Sequence, residues 1–65
     1  MKCKIRIISD LAGVWSRYQP VVGQIYDANY HPGRSKLPPM AVITIKGKPI
    51  VVRKNEFEVV EVVNG

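Results

Sequence analysis

Six side chains in two turn-rich stretches are of the types that bind polyanions: Arg17, Tyr18, Tyr30, His31, Arg34 and Lys36. A guanidinium or ammonium neutralises phosphate, and an exposed aromatic ring stacks on an unpaired base. Arg17 and Tyr18 place a cation beside an aromatic in the first stretch. The run YHPGRSK, residues 30–36, repeats that combination in the second. If both stretches lie at one end of the fold, they form one surface. Lys2, Lys4 and Arg6, together with Lys46 and Lys48, make a secondary basic candidate. Each group also has a plainer reading. Loop charges keep a small domain soluble, and cations along a strand discourage edge-to-edge pairing.

Catalytic chemistry has little to work with. The chain has one Cys and one His, Cys3 and His31, far apart in sequence and in different contexts. Cys3 falls on the apolar phase of its segment, where a thiol acts as a small hydrophobe. Nothing in the spacing of Asp10 and Asp27 brings two carboxylates together for acid–base work. No glycine-rich phosphate loop and no metal-ligand spacing is present, so no cofactor and no metal site is expected. These features point to a non-enzymatic binding module.

The elements that position these residues are strands. Residues 40–63 read MAVITIKGKPIVVRKNEFEVVEVV: three apolar-rich runs, 41–45, 50–53 and 57–63, separated by two turns. Val, Ile, Thr and Phe dominate, and β-branched side chains fit a pleated surface. Ala41, Ile43 and Ile45 alternate with Val42, Thr44 and Lys46. Gly47-Lys48 has the length of a two-residue hairpin loop, and Gly at its first position suits a type II′ turn. Pro49 then belongs at the start of its strand or on a sheet edge. In the last run Phe57, Val59, Glu61 and Val63 share one face and Glu58, Val60 and Val62 the other. Apolar residues on both faces suit a strand covered on both sides or one that closes a barrel.

Upstream, residues 2–8 alternate Cys3, Ile5 and Ile7 against Lys4, Arg6 and Ile8, a half-buried strand with a cationic outer face. Residues 9–23 are irregular. One helical turn over 10–15 is conceivable, with Gly13 and Pro20 keeping it short. Trp15 is expected to cap the core as a lid, with Arg17 and Tyr18 at the surface. Residues 24–28 form the second strand, where Ile25 and Asp27 share a face; a bulge near Ala28 would reconcile them. Residues 30–39, YHPGRSKLPP, read as a surface loop with a type II turn at Pro32-Gly33 and an extended Pro38-Pro39.

Sixty-five residues make one domain. With a single Cys there is no internal disulfide, so a reducing, cytoplasmic setting is expected. The opening residues are too charged for a signal peptide, and no apolar stretch reaches membrane-spanning length. Net charge is +5 and unevenly spread. Residues 1–54 hold all ten Lys and Arg against Asp10 and Asp27, a net +8, while 55–65 hold Glu56, Glu58 and Glu61, a net −3. A basic body favours polyanions or acidic proteins as partners.

The opening KCKIRII, the VGQIYDA of the second strand, the IKGKPIVV hairpin and the closing FEVVEVV together resemble the small SH3-like β-barrel proteins often encoded by bacteriophages and their hosts. The resemblance spans most of the chain. It implies an all-β fold: a small five-stranded SH3-like barrel with a long loop after strand 1 and a Pro-rich loop after strand 2. The characterised members of that group bind nucleic acid or a host protein. Two functions therefore stay open. One is a nucleic-acid-binding module working through basic and aromatic loop residues, with steep salt dependence. The other is a phage-type protein-interaction module that docks on and inhibits an acidic host protein in the host cytoplasm. A sheet edge could also accept a second copy, giving a homodimer.

Overall fold

The computed structural model describes residues 1–63 of the chain. It is all-β: β1 (Lys2–Ile7), β2 (Ile25–His31), β3 (Met40–Ile45), β4 (Lys48–Arg53) and β5 (Phe57–Val62), with one short 3-10 turn at Ser16–Tyr18. The strands form a single antiparallel sheet in the order β4-β3-β2-β1-β5, so the first strand lies between the second and the last.

The core follows from the period-2 pattern. Cys3, Ile5 and Ile7 of β1 bury against Ala28, Ala41, Ile43, Ile50, Val52 and Phe57, with Leu11 added from the first long loop. Burying each large aliphatic side chain contributes about 1.5–3 kcal/mol. Among the described residues no buried side-chain polar atom lacks a partner. Among those residues no helix is long and apolar enough to cross a membrane.

The sheet is unclosed, which corrects the expectation of a strand that seals a barrel. β5 is an edge strand, and beyond Phe57 its residues are exposed, Val59 by 43% and Val62 by 50%. Both edges carry a device that interrupts strand pairing. On β4, Pro49 lies opposite Thr44, one step beyond the Ile45–Lys48 pair that closes the hairpin. That closing pair is hydrogen-bonded, so the nitrogen of Pro49 faces away from β3 and leaves a gap in the row of donors. On β5 the register shifts by one, with Lys4 opposite Glu61 but Ile5 opposite Val59. Val60 is therefore the extra residue of a bulge, and the edge kinks there.

The bulge also regroups the faces of β5. Phe57, Val59 and Val62 lie opposite the inward Ile7, Ile5 and Cys3, whereas Glu58 and Glu61 lie opposite the outward Arg6 and Lys4. Strict alternation would have put the two glutamates on opposite faces. No bulge occurs near Ala28. Ile25 simply stays half-exposed on the outer face beside Asp27, while Tyr26, Ala28 and Tyr30 face inward.

The β3–β4 turn is Lys46-Gly47, one residue earlier than the sequence pattern suggests. Both residues have positive φ, 52° and 79°. This is the type I′ arrangement, whose second position is where glycine is preferred. β2 runs on to His31, so Tyr30 and His31 belong to a strand, paired with Ala41 and Met40. In the following loop the reversal falls at Ser35-Lys36, where Arg34 and Leu37 exchange backbone hydrogen bonds of 2.8 and 3.0 Å. Gly33 does not have positive φ, so the Pro32-Gly33 type II turn does not form.

Candidate functional site

The loop over residues 8–24 is short of regular structure yet firmly tied down. Leu11 sinks into the core and Pro20 is buried. Between them the Gln19 side-chain amide accepts from the Leu11 N–H at 2.9 Å and donates to the carbonyls of Leu11 and Val14 at 2.6 and 2.9 Å. The Glu56 carboxylate accepts from the Ala12 N–H at 3.2 Å and the Arg53 N–H at 3.0 Å, linking this loop to the β4–β5 turn. The Tyr26 hydroxyl accepts from the Val21 N–H at 2.9 Å. The helical turn falls at Ser16–Tyr18 rather than 10–15, closed by Tyr18 N–H to Trp15 O and Gln19 N–H to Ser16 O.

This frame turns Trp15 outward. Trp15 is 71% exposed, so it is not the lid that its size suggests. The buried core is made of Cys3, Leu11, Phe57 and the Ile, Val and Ala side chains of the strands. The Arg17 guanidinium lies over the Trp15 ring, 5.8 Å from its centroid. Tyr18 is half-buried against the core, and the Lys48 ammonium sits 5.0 Å from its ring centroid. Two cation–aromatic units thus stand side by side, each worth about 0.5–1 kcal/mol at an exposed position. Between them opens a cleft of about 220 Å³ lined by Gly13, Val14, Trp15, Tyr18, Lys48 and Ile50, with no acidic side chain among them.

The residues singled out in the sequence divide between two places. Arg17 and Tyr18 are joined by Lys48 from the secondary patch, and Lys46 is in the adjoining turn. His31, Arg34 and Lys36 belong to the segment leading into Met40, at the other end of the β3–β4 hairpin. Six-residue strands separate those ends by about 17 Å at 3.4 Å per residue. Tyr30 turns inward, its ring edge-on to Phe57 with centroids 6.4 Å apart. His31 and Arg34 remain exposed along a shallow groove of about 380 Å³ that also involves Leu37, Pro38 and Val42.

On β1, Lys4 pairs with Asp27 at 3.6 Å and Arg6 with Glu58 at 2.9 Å. These are the ion pairs among the described residues, and they leave Lys2 as the β1 cation outside a pair. The unpaired cations therefore concentrate on the β3–β4 hairpin and the two long loops. Burial pushes the Cys3 thiol above its ordinary pKa, against a smaller opposing pull from the N-terminal ammonium. Among the described residues no three His, Cys, Asp or Glu side chains are grouped to hold a metal ion.

Trp15 and its link to Lys48 were not singled out in the sequence as parts of a site. The available signal was local: Trp15 stands between Gly13 and Ser16-Arg17, outside any apolar periodicity. Neither a family model, nor a curated protein, nor a solved structure matches the chain.

Proposed function

We propose that the protein is a non-enzymatic binding module of the SH3-like type that takes nucleic acid at the Trp15–Tyr18–Lys48 end of the sheet. The observation that carries this reading is the exposed Trp15 ring beneath Arg17, next to Lys48 over Tyr18. An exposed aromatic flanked by unpaired cations is what a phosphate-tracking, base-stacking surface needs. The strand order supports the SH3-like reading, since β1 bridges β2 and β5 and the turn over 54–56 joins the two edges of a curled sheet. The buried, unpaired Cys3 accords with action in a reducing cytoplasm, that of the host if the chain is phage-encoded.

The test is fluorescence anisotropy of labelled single- and double-stranded oligonucleotides at about 50 and 200 mM salt. If Arg17, Lys46 and Lys48 each meet a phosphate on a single strand, affinity falls about twenty-fold across that range, at a slope of roughly 0.7 per contact. Arg17→Ala with Lys48→Ala reduces both the affinity and the salt slope. Absence of binding to either form at the lower salt sinks the nucleic-acid reading. The same aromatic and basic residues would then be examined as anchors for an acidic protein.

A further inference from the structure

Resting on the nucleic-acid reading, we infer that the cleft between Trp15 and Tyr18 holds one unpaired nucleobase, so that the module selects single strands over duplexes. Three features of the cleft lead there.

The first is its size. About 220 Å³ lies below the roughly 300–1,000 Å³ range of pockets that enclose drug-sized ligands. The space suits one ring system, with the rest of the ligand left outside.

The second is the chemistry of the lining. Trp15 and Tyr18 offer ring surface, Val14 and Ile50 offer apolar contact, and Lys48 supplies the charge. Gly13 contributes no side chain, and a Cβ built there would meet nothing within 4 Å, so this side of the cleft stands open. A flat, apolar-faced ring joined to an anionic chain matches all of these at once.

The third is access. In a duplex, base faces are covered by their neighbours in the stack, and only edges and phosphates are presented. The ring faces beside Lys48 can stack on a base face only when that base is unpaired. Arg17 lies over the Trp15 ring, and Lys46 is in the same turn as Lys48, so both supply cations for the phosphates that adjoin the inserted base. Duplex DNA meets the same cations without the stacking contribution.

The chain has one tryptophan, so the proposed contact carries its own reporter. The wild-type full chain is titrated with a labelled oligothymidine and, separately, with a labelled duplex of mixed sequence, at about 50 mM salt. Anisotropy reads binding and Trp15 emission reads stacking. The inference expects the single strand to bind about 5- to 150-fold more tightly than the duplex, the equivalent of 1–3 kcal/mol for one stacked base. It also expects Trp15 emission to be quenched in proportion to occupancy. Trp15→Ala removes most of the single-strand preference, and Trp15→Phe restores part of it. Since Trp15 is largely solvent-exposed, both variants should keep the wild-type unfolding midpoint, which is checked in parallel. Equal binding of both forms with unchanged Trp15 emission overturns the base-insertion inference while leaving charge-driven binding in place. Failure of both forms to bind overturns the nucleic-acid reading itself.

Discussion

Gln19 and Leu11 are joined by a reciprocal hydrogen bond: the Leu11 N–H donates to Gln19 Oε1 at 2.9 Å, and Gln19 Nε2 donates back to the Leu11 carbonyl at 2.6 Å. The amide also reaches the Val14 carbonyl, and so it closes the loop whose apex carries Trp15. Gln19→Ala leaves these partly buried backbone groups without partners, and each such loss costs about 1–3 kcal/mol. Urea unfolding should show a clearly lowered midpoint. Gln19→Glu is the sharper variant. Its carboxylate still accepts from Leu11 but faces two carbonyls that it cannot bond when ionised, so its folded pKa is raised. The side chain then supports the fold below the pKa of an ordinary glutamate and loses that support as pH rises. Stability of the variant that rises with pH across this window would show that the amide is not acting through its N–H groups.

Two glycine substitutions should fail for different reasons. At Gly47, φ is +79° and nothing lies within 4 Å of a built Cβ, so Gly47→Ala meets backbone strain and no clash. The expected cost is about 1–2 kcal/mol, the left-handed penalty for an L-residue. Lys46 already bears such strain at φ 52°, and Lys46→Asn should recover part of it because asparagine tolerates this region. At Gly33 the backbone is not left-handed. There a Cβ would lie 2.7 Å from the Leu37 carbonyl oxygen and 2.9 Å from Pro39. Gly33→Ala should therefore displace the 32–39 loop, seen as amide shift changes centred on Leu37. Changes confined to residue 33 itself would contradict the close approach.

Cys3 makes the fold sensitive to alkali. Burial raises its thiol pKa above the ordinary 9.0. Below that value the thiol is protonated in both the folded and unfolded states, and the contribution is complete. As pH rises, the unfolded chain ionises first, and this contribution is lost as pH climbs through the folded pKa. Cys3→Ala should flatten the alkaline limb of the stability profile, although it weakens the core at every pH. Alkylation of the native protein by iodoacetamide should be slow and should accelerate only under unfolding conditions. Rapid labelling at neutral pH would contradict the burial.

The parts of the fold that were legible in the sequence are those where one face is buried and one is wet. KCKIRI and MAVITI alternate cleanly, and the structure buries their expected residues. The errors come from three physical sources. A single glycine marks the β3–β4 turn, and the structure places it second, after Lys46 at φ 52°. The size of Trp15 suggests a lid on the core, but the core is built from smaller side chains such as Ile5, Ile7, Ile43 and Val52, and Trp15 stays exposed. The Gly and Pro breakers and the Pro-Pro pair of residues 30–39 point to a loop from Tyr30 onward, whereas hydrogen bonding to Met1 and pairing with Ala41 carry the strand through it. The candidate site was half legible. Arg17 and Tyr18 stood out as a local pair, but the arrival of Lys48 depends on how the β3–β4 hairpin folds back, which no local pattern records.

The β5 bulge gives the most direct test of sequence against register. In FEVVEVV, Glu58 and Glu61 are three apart, so a regular strand would place one of them inward. The chain avoids this by looping out Val60 and keeping both glutamates on the outer face, with Glu58 bonded to Arg6. Deleting Val60 leaves FEVEVV, which alternates without interruption and keeps each remaining residue opposite its present β1 partner. The shortened chain should fold, with stability within about 1 kcal/mol of the parent, since an exposed edge residue contributes little. Deleting Val51 from the regular β4 is the control. It places Ile50 next to Val52, so one of two core side chains must turn outward, at about 1.5–3 kcal/mol for that side chain alone. A 65-residue domain has only roughly 3–10 kcal/mol in total to lose. Thermal unfolding of the two deletions side by side decides the matter. If loss of Val60 is as damaging as loss of Val51, the bulge is a structural requirement of the sheet and not an accommodation to the glutamate spacing.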